Sequence, residues 1–302
     1  MPRNGTGTYV PPASSWVPAV NGVNATAADF NGLQVDLTAA LTQSVSKDGQ
    51  TPMTGNLPMG NNKITGLANG TAVNDAATFA QTAGRLINIQ IFSSSGIYTS
   101  TFGTSFVLVE AIAPGGGGGA TTFTGAGVVS VSGGGGGGGY ALARFNSGFS
   151  GLLATPGTGG AGGVAGPNSG QPGGTLTFGG ILSVQGGFGG AGVASGAPPL
   201  MVSGGQGGAS ATIGGGGTLI LTGSGTPGGN GFGISNTGGL GGAGGASGRG
   251  TGTGFVGGYS ANGPAAQSAG AGGCGTFTVA STANGWAGGA GGNGRIVIYE
   301  FS

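Results

Sequence analysis

Side chains able to do covalent or acid–base chemistry are scarce in this sequence. The chain has no histidine and six acidic residues, and no aspartate, glutamate or lysine lies between Glu110 and Glu300. A serine–histidine–aspartate triad and a histidine metal site therefore have no candidate residues. Glycoside cleavage needs two carboxylates across one bond. Only Glu110 and Glu300 could approach that arrangement, and we interpret them as solvated strand ends. We predict that the chain is not an enzyme and uses no cofactor or metal.

The remaining reactive or charged groups support the same interpretation. The single cysteine, Cys274, lies in AGGCG with no histidine or lysine nearby in sequence to activate it, so we interpret it as a small packed residue. No glycine run ends in Gly-Lys-Ser/Thr, as a phosphate-binding loop would. A net charge of +1 gives no electrostatic case for a nucleic acid partner.

Binding is the chemistry that the remaining side chains could do. Five glycine-bounded segments are candidate loops, namely residues 120–132, 164–172, 193–203, 249–263 and 281–286. Exposed aromatic residues commonly anchor sugars and protein surfaces, and an arginine can meet an anionic group. The alternative for each residue is packing inside the fold, or simple solvation for the arginine. The candidate binding residues are Phe123, Leu200, Met201, Arg249, Phe255, Tyr259 and Trp286.

A glycine-rich run must position these loops. All but 12 of the 82 glycines follow Glu110, whereas glycine is usually about 7% of a chain. The doublets break the three-residue period of collagen, and a chain that is 37% hydrophobic and 4% charged is unlike a disordered linker. A packed array of closely approaching backbones remains, either as glycine-laced β-sheet or as polyglycine-II-like helices.

Short apolar runs between the glycines are rich in β-branched and aromatic residues, which predicts strands. The first and last flank the whole glycine run, so we expect them to pair and close the domain on itself. The predicted strands are residues 105–112 (SFVLVEAI), 140–145 (YALARF), 181–185 (ILSVQ), 218–222 (TLILT), 276–280 (TFTVA) and 295–301 (RIVIYEF).

The amino-terminal residues 1–23 contain prolines that forbid a helix, and Tyr9 and Trp16 are their apolar anchors. We predict an extended arm that lies against another protein, with a disordered terminus as the alternative.

A helix is predicted over about residues 26–46, because its apolar residues recur every three or four positions. One amphipathic helix without a partner helix most simply packs against copies of itself, which predicts an oligomer; the alternative is docking onto the glycine domain. The stripe consists of Phe30, Leu33, Leu37, Leu41 and Val45.

Residues 47–81 have too few apolar residues for a core of their own, which fits interwoven chains, and Asn74 is the predicted cap of a short helix. We therefore predict a mainly β chain in three parts. Residues 1–23 are the extended arm, 24–84 the helical and interwoven oligomerisation region, and 85–302 the glycine-rich domain of short strands, polyglycine-II-like helices, or both.

Three amino-terminal stretches, MPRNGTGTYVPP, ALTQSVSKDGQTPMTGNLPMG and NKITGLANGTAVNDAATFAQ, closely resemble the amino-terminal part of tail fibre proteins of tailed bacteriophages. GGGGGGGYALARF and GGAGGNGRIVIYEFS are similar to the glycine-rich distal domain of phage fibres and adhesins. Together these resemblances span nearly the whole chain. The chain differs from longer relatives in that it has no extended shaft.

The resemblance implies a homotrimer in the virion, made in the host cytoplasm. It implies that the amino-terminal region, with Tyr9 and Trp16, attaches to other phage tail proteins. The distal domain would then meet a receptor on the bacterial surface, whether polysaccharide, outer-membrane protein or pilus. The alternative is a structural tail-tip or fibre-adaptor protein whose glycine domain packs against neighbouring tail proteins.

Overall fold

The computed structural model describes residues 26–42, 56, 59–72, 74–78, 84–249, 252, 256–257 and 260–302. These residues fall into two compact units, 1–68 and 69–302. The described chain is mainly β, which confirms that part of the predicted fold class. None of the described helices is long and apolar enough to cross a membrane. The predicted arm, with Tyr9 and Trp16, lies outside the described residues.

One helix, α1 (Ala27–Thr42), is described in the amino-terminal unit. It lies within the predicted range. Phe30 and Leu37 are 54% and 47% exposed, and Leu33 is half-buried. The side chain of Leu41 and the whole of Val45 lie outside the described residues. Because this part of the apolar stripe stays exposed in a single chain, it is available to a partner, and the oligomer stays a prediction.

The start of the carboxy-terminal unit is a turn. Asp75 accepts hydrogen bonds from the backbone N–H groups of Thr71 (2.7 Å) and Ala72 (2.8 Å), and these bonds hold the pKa of its carboxyl below the usual value. The described residues 74–78 form no helix, and the rest of the short helix predicted after Asn74 lies outside the described residues.

Sixteen strands are described in the carboxy-terminal unit. They are β1 (Leu86–Phe92), β2 (Gly96–Tyr98), β3 (Phe106–Ile112), β4 (Ser130–Val131), β5 (Tyr140–Phe145), β6 (Leu152–Thr155), β7 (Leu176–Phe178), β8 (Leu182–Val184), β9 (Leu200–Val202), β10 (Thr212–Ile213), β11 (Thr218–Gly223), β12 (Gly231–Gly233), β13 (Gly239–Gly241), β14 (Val256–Gly257), β15 (Phe277–Thr278) and β16 (Arg295–Phe301). All six predicted strands are present, with bounds within two residues of those expected.

Two five-stranded sheets form a sandwich. Their strand orders are β1-β16-β3-β5-β11 and β10-β8-β7-β6-β2. Strands β3 and β16 are antiparallel, with Phe106 opposite Phe301 and Ile112 opposite Arg295, so the predicted pairing of the first and last strands of the glycine run is confirmed. A fully buried apolar core between the sheets includes Phe145 and Phe178.

The two glutamates occupy opposite faces of the first sheet. Glu110 lies opposite Val297 and Glu300 opposite Val107, and neighbouring register positions point to alternate faces. Both carboxylates are buried, at 7% and 0% exposure, so the interpretation as solvated strand ends is wrong. Strand pairing therefore places the two glutamates three register positions apart and on opposite sides of the sheet.

Glu300 is buried because the fold supplies hydrogen-bond donors to both carboxylate oxygens. Gln90 Nε2 (2.7 Å) and the Tyr98 hydroxyl (2.9 Å) donate to Oε1. The Thr101 N–H (3.1 Å) and the Thr104 hydroxyl (3.3 Å) donate to Oε2. Burial by itself raises the pKa of Glu300, but these hydrogen bonds outweigh it and hold the pKa below its usual value.

Beyond the sandwich, the glycine-rich segments run side by side and are joined by backbone hydrogen bonds. We call residues 115–119 the first central segment. The backbone N–H groups of residues 115–120 donate to carbonyls of neighbouring segments at 2.8 to 2.9 Å, and the same neighbouring segment accepts again every three residues. The donor–acceptor pairs are Gly115–Gly292, Gly116–Gly136, Gly117–Gln171, Gly118–Gly289, Gly119–Gly133 and Ala120–Asn168. Each residue therefore faces a different neighbour from the one before it.

Six described segments surround the first central segment: 133–139, 158–166, 168–173, 185–192, 270–275 and 286–294. Successive members of this ring are also bonded to one another. The linking donor–acceptor pairs are Gly133–Ala191, Gly170–Gly190, Gln171–Ala161, Gly288–Gly163, Gly289–Cys274 and Gly135–Gly273. The ring is closed, and the first central segment meets backbone on every side.

Residues 133–139, the second central segment, lie at the centre of a second such ring. Here too the neighbours recur every three residues, since Gly133, Gly136 and Gly139 donate to Ala191, Phe188 and Gln185 respectively. Its described neighbours are segments 115–119, 185–192, 203–209, 225–229, 242–247 and 270–275. The two rings share segments 185–192 and 270–275. The two longest uninterrupted glycine blocks of the sequence are thus the two segments enclosed by backbone.

Close approach explains why these blocks contain only glycine. A Cβ atom on Gly118 would collide with the carbonyl of Cys274, and one on Gly135 with the carbonyl of Gly116. Outer segments carry a side chain at every third position, where they meet solvent. In segment 203–209 the exposed positions are Ser203, Gln206 and Ala209, and those between them are buried or half-buried.

Cys274 is fully buried in the segment shared by the two rings. Its N–H donates to the carbonyl of Pro264 at 3.1 Å, and its carbonyl accepts from Gly289 at 2.9 Å. This placement agrees with the interpretation of Cys274 as a small packed residue.

Gly135→Ala tests the close approach of central segments. The new methyl group would meet a backbone carbonyl that cannot rotate away, so we expect a loss of at least about 3 kcal/mol in the free energy of unfolding. The matched control is Gly223→Ala, where a Cβ atom meets nothing within 4 Å; its expected effect is within about 0.5 kcal/mol. Equal unfolding midpoints for the two variants in guanidinium would contradict the packing described.

Glu300→Gln tests the buried carboxylate. Its pKa is depressed by folding, so its contribution to stability is present above the unfolded pKa, about 4.3, and is lost as pH falls through the folded value. We expect wild-type stability to decline on acidification. The variant should lose about 2 kcal/mol at neutral pH and show a flatter acid limb, measured by urea unfolding across pH. Parallel acid limbs would show that Glu300 is not the group responsible.

Candidate functional site

The glycine array has two ends of different character. At the sandwich end, strands such as β3 and β8 lead directly into array segments, and other segments lead directly into β5 and β16. At the opposite end the segments are joined by loops, and we call this the loop end. Candidate loops 120–132, 193–203 and 281–286, with the 164–168 part of loop 164–172, all lie there, because they connect the far ends of neighbouring segments.

A small core organises the loop end. Two sheets meet there, with orders β14-β13-β12-β9 and β15-β4. Val129, Val131, Val202 and Phe277 are buried between them. Leu200, a candidate binding residue, is half-buried and packs against this cluster, so much of its side chain is committed to the fold.

A buried hydroxyl network joins the loops. Thr121 is fully buried, and its Oγ1 accepts from the hydroxyls of Thr276 (3.0 Å) and Thr278 (2.6 Å). The backbone of Thr121 also exchanges two hydrogen bonds with Trp286, at 3.0 and 3.1 Å. The loop carrying Trp286 is therefore fixed to the end of the first central segment.

An exposed apolar row crosses the four-stranded sheet. Met201, Phe232 and Leu240 lie opposite one another on neighbouring strands and are 65%, 41% and 37% exposed. The residues flanking Phe232 are glycines that face inward, and a Cβ on Gly233 would press on Val129 and Val131. The sheet thus carries its large side chains on its outer face.

Sequence reasoning selected Met201 but missed Phe232 and Leu240. Both lie in a Gly-X-Gly triplet, GFG and GLG. An apolar residue flanked by glycines in a strand has its neighbours on the opposite face, where only glycine fits. That pattern was a usable signal for an outward-facing apolar residue.

A pocket of about 560 Å³ opens beside this core, lined by candidate residues Phe123 and Trp286. Phe123 is 67% exposed and Trp286 is half-buried. The pocket brings together loops 120–132, 164–172 and 281–286, together with Asn262.

Arg249 lies apart from this group. Its Nε donates to Glu110 Oε1 at 2.6 Å, and the hydroxyls of Tyr140 (3.3 Å) and Tyr299 (3.2 Å) also donate to Glu110. Burial raises the pKa of both tyrosines, and the Glu110 carboxylate raises it further. Arg249 is therefore held at the sandwich end by an ion pair. Phe255 and Tyr259 lie outside the described residues.

Within the described part of the chain, no group of three histidine, cysteine, aspartate or glutamate side chains could hold a metal ion. No protein-family model matches this sequence, and a search of curated proteins found no match to it.

Thr121→Val tests the hydroxyl network. The valine leaves the buried Thr278 hydroxyl without its acceptor, so we expect a loss of about 1–3 kcal/mol in the free energy of unfolding. We also expect faster amide hydrogen exchange at Trp286. Thr122→Val is the control, since the Thr122 hydroxyl has no partner among the described residues. This change should alter the free energy of unfolding by less than about 0.5 kcal/mol. Unchanged exchange at Trp286 in Thr121→Val would contradict the role of the network.

Proposed function

We propose that this chain is a tail fibre protein of a tailed bacteriophage that binds a receptor on the host bacterium and catalyses no reaction. The observation that carries the proposal is the gathering of three candidate loops and part of a fourth at one end of a packed backbone array, with apolar and aromatic side chains exposed there. The amino-terminal resemblance to phage tail fibres supplies the biological setting. Neither the arrangement of the loops nor the resemblance to tail fibres requires a catalytic group.

The array suits recognition because its stability does not depend on the loops. Hydrogen bonds between main chains join its segments, and only every third residue of an outer segment meets solvent. Loop sequence can therefore change while the supporting backbone stays in place. Exposed residues such as Phe123 and Met201 are then free to contact a receptor.

We assign the glycine segments to polyglycine-II-like helices. Such a helix has three residues per turn and no internal hydrogen bonds. Its N–H groups therefore point in three directions, to three different neighbours. The three-residue recurrence of partners around both central segments supports this assignment over glycine-laced sheet, in which a strand has two hydrogen-bonded neighbours.

The proposal includes a homotrimer attached to the virion by its amino-terminal region. The exposed apolar side chains Phe30 and Leu37 on α1 support an oligomer, because burying them against copies of the same helix removes apolar surface from water. The trimeric state and the attachment role of Tyr9 and Trp16 come from the resemblance to tail fibres.

The placement of the carboxylates supports a non-enzymatic role. Glu110 is engaged by Arg249 and two tyrosines, whereas Glu300 is enclosed by four donors on the other sheet face. Neither geometry allows the two groups to act across one bond.

A structural role as a tail-tip or fibre-adaptor protein is the second candidate. The observation in its favour is the apolar row of Met201, Phe232 and Leu240, which would suit packing against another tail protein. In that case the same side chains would be buried in the virion and unable to reach a cell.

Adsorption competition separates the two roles. The purified full chain is mixed with host cells before phage is added, and we expect dose-dependent blocking of adsorption. A loop-end variant, Phe123→Ser with Met201→Ser, should weaken blocking at least about tenfold. The matched control, Ile97→Ser with Phe102→Ser, changes two residues that are 69% and 101% exposed at the sandwich end, and should block normally.

Folding and oligomeric state of all proteins are checked first by circular dichroism and analytical ultracentrifugation. No cell binding and no blocking by a correctly assembled wild-type oligomer would favour the structural role. Equal loss in both variants would show that the loop end is not the contact surface.

A further inference from the structure

We infer that the pocket between Phe123 and Trp286 binds a neutral saccharide. The inference rests on the proposed receptor-binding function and names the chemistry of one contact at the loop end. The pocket volume of about 560 Å³ lies within the range of about 300–1,000 Å³ that small-ligand sites occupy.

Two aromatic side chains supply apolar surface. Phe123 is 67% exposed, and Trp286 is half-buried in the same pocket. A pyranose ring has a face of C–H groups that packs on an aromatic face, while its hydroxyls remain at the rim. An aromatic residue with a polar edge suits a ligand that is apolar on one side and hydroxylated on the other.

Polar groups with unused hydrogen-bonding capacity line the same pocket. Asn262 uses Oδ1 to accept from the Ala287 N–H at 3.0 Å, which leaves its Nδ2 donors without a partner among the described residues. The Asn284 amide and the Thr122 hydroxyl likewise have no described partner. Amides and hydroxyls both donate and accept, as sugar hydroxyls do.

Trp286 adds an unsatisfied donor. Its indole Nε1 is buried and has no hydrogen-bond partner among the described residues. An unpaired buried N–H is costly, by about 1–3 kcal/mol. Asn262, Asn284 and Thr122 line the same pocket and offer further donors and acceptors to a hydroxylated ligand.

The pocket is already assembled in the free chain. Backbone bonds between Thr121 and Trp286 join the two loops that carry its aromatic residues, and the Asn262–Ala287 bond ties a third segment to them. Rigid walls reduce the ordering cost of binding. A weak, uncharged ligand such as a sugar depends on this preorganisation.

Charge separates a neutral saccharide from other ligands. No charged residue lines the pocket, so acids, phosphates and sulfates would lose hydration without gaining a counter-charge. None of its lining residues belongs to a strand, so no free sheet edge is present there for an extended peptide.

A second pocket shows that the combination is specific. It has a volume of about 490 Å³ and lies among Ser93, Ser94, Ser95 and Asn293 at the sandwich end. It contains hydroxyls and an amide, but no aromatic side chain lines it. Of these two pockets, only the one beside Trp286 combines aromatic surfaces with amide groups that have no partner among the described residues.

The direct test is saccharide binding by the full chain with Trp16→Phe. The chain has two tryptophans, so this change leaves Trp286 as the only indole fluorophore. The probes are the methyl glycosides of glucose, galactose, mannose, rhamnose, N-acetylglucosamine and N-acetylgalactosamine, each up to about 10 mM, which detects a Kd near 1 mM. Galacturonate and glucose 6-phosphate are the charged probes. Saturation-transfer NMR gives a second, ligand-side measurement.

We expect at least one neutral glycoside to bind saturably, with a Kd raised about tenfold or more by Phe123→Ala and by Asn284→Ala. Both residues are exposed, so neither change should disturb folding. Phe232→Ala, at the same end but outside the pocket, is the control and should leave the Kd within about twofold. Binding of no neutral probe, preference for the charged probes, or binding that survives both pocket variants would overturn the inference.

Host cells connect the pocket to the receptor. We expect periodate oxidation of cell-surface sugars to abolish binding of the chain and protease treatment to leave it intact; the reverse would overturn the inference in favour of a protein partner. Adsorption blocking that survives Phe123→Ala and Asn284→Ala would leave the receptor-binding function standing and remove this pocket from it. Glycoside binding without any adsorption blocking would support the pocket and contradict the proposed function.

Discussion

Hydrogen bonding between closely packed main chains is the interaction on which the rest of this structure depends. Glycine loses more backbone freedom on folding than any other residue, and it contributes no side chain to a core. The array compensates by giving each glycine of the two central segments an N–H partner on a neighbouring segment. Carbonyl groups of neighbouring segments occupy the space where a Cβ atom would lie, as at Gly118 and Gly135. Composition and packing therefore require each other.

The array also determines where side-chain chemistry can occur. Its two central segments have no room for side chains, and the two apolar cores of the described residues lie at the ends of the array, around Phe178 in the sandwich and around Phe277 at the loop end. The sandwich ties the first and last strands of the run together through β3 and β16. The loop end connects the segments in turns whose side chains are free to face outward. This division is the basis of the proposal that the loop end contacts a receptor.

The glycine domain has few charged residues, and each of its acidic residues has a structural role. Glu300 is enclosed by donors from β1, β2 and the turn after it, and so links the chain entering the sandwich to its last strand. Glu110 holds Arg249 against the opposite face of the same sheet. The loop-end pocket is left without charge, and its recognition chemistry reduces to aromatic surface, amides and hydroxyls. Such contacts depend weakly on salt.

Elements with a local signal could be predicted from the order of the amino acids. Runs such as YALARF and RIVIYEF predicted β5 and β16 with correct bounds, because β-branched and aromatic residues between glycines favour strands. Sequence reasoning missed β1, although LINIQIF alternates apolar residues at 87, 89 and 91. Apart from β8 and β15, it also missed the strands of two to four residues, whose pairing is set by partners far away in the chain.

How these elements combine depends on contacts between residues far apart in the chain. The sequence selected Phe123 and Trp286 separately, yet nothing local shows that loops more than 150 residues apart share one pocket with Asn262. It also placed Arg249 among the binding residues and both glutamates in solvent, whereas cross-strand register buries the glutamates on opposite faces and pairs one with Arg249. Glycine composition established that backbones pack closely. Which segments surround which, and therefore which loops meet, depends on long-range hydrogen bonding that no local pattern encodes.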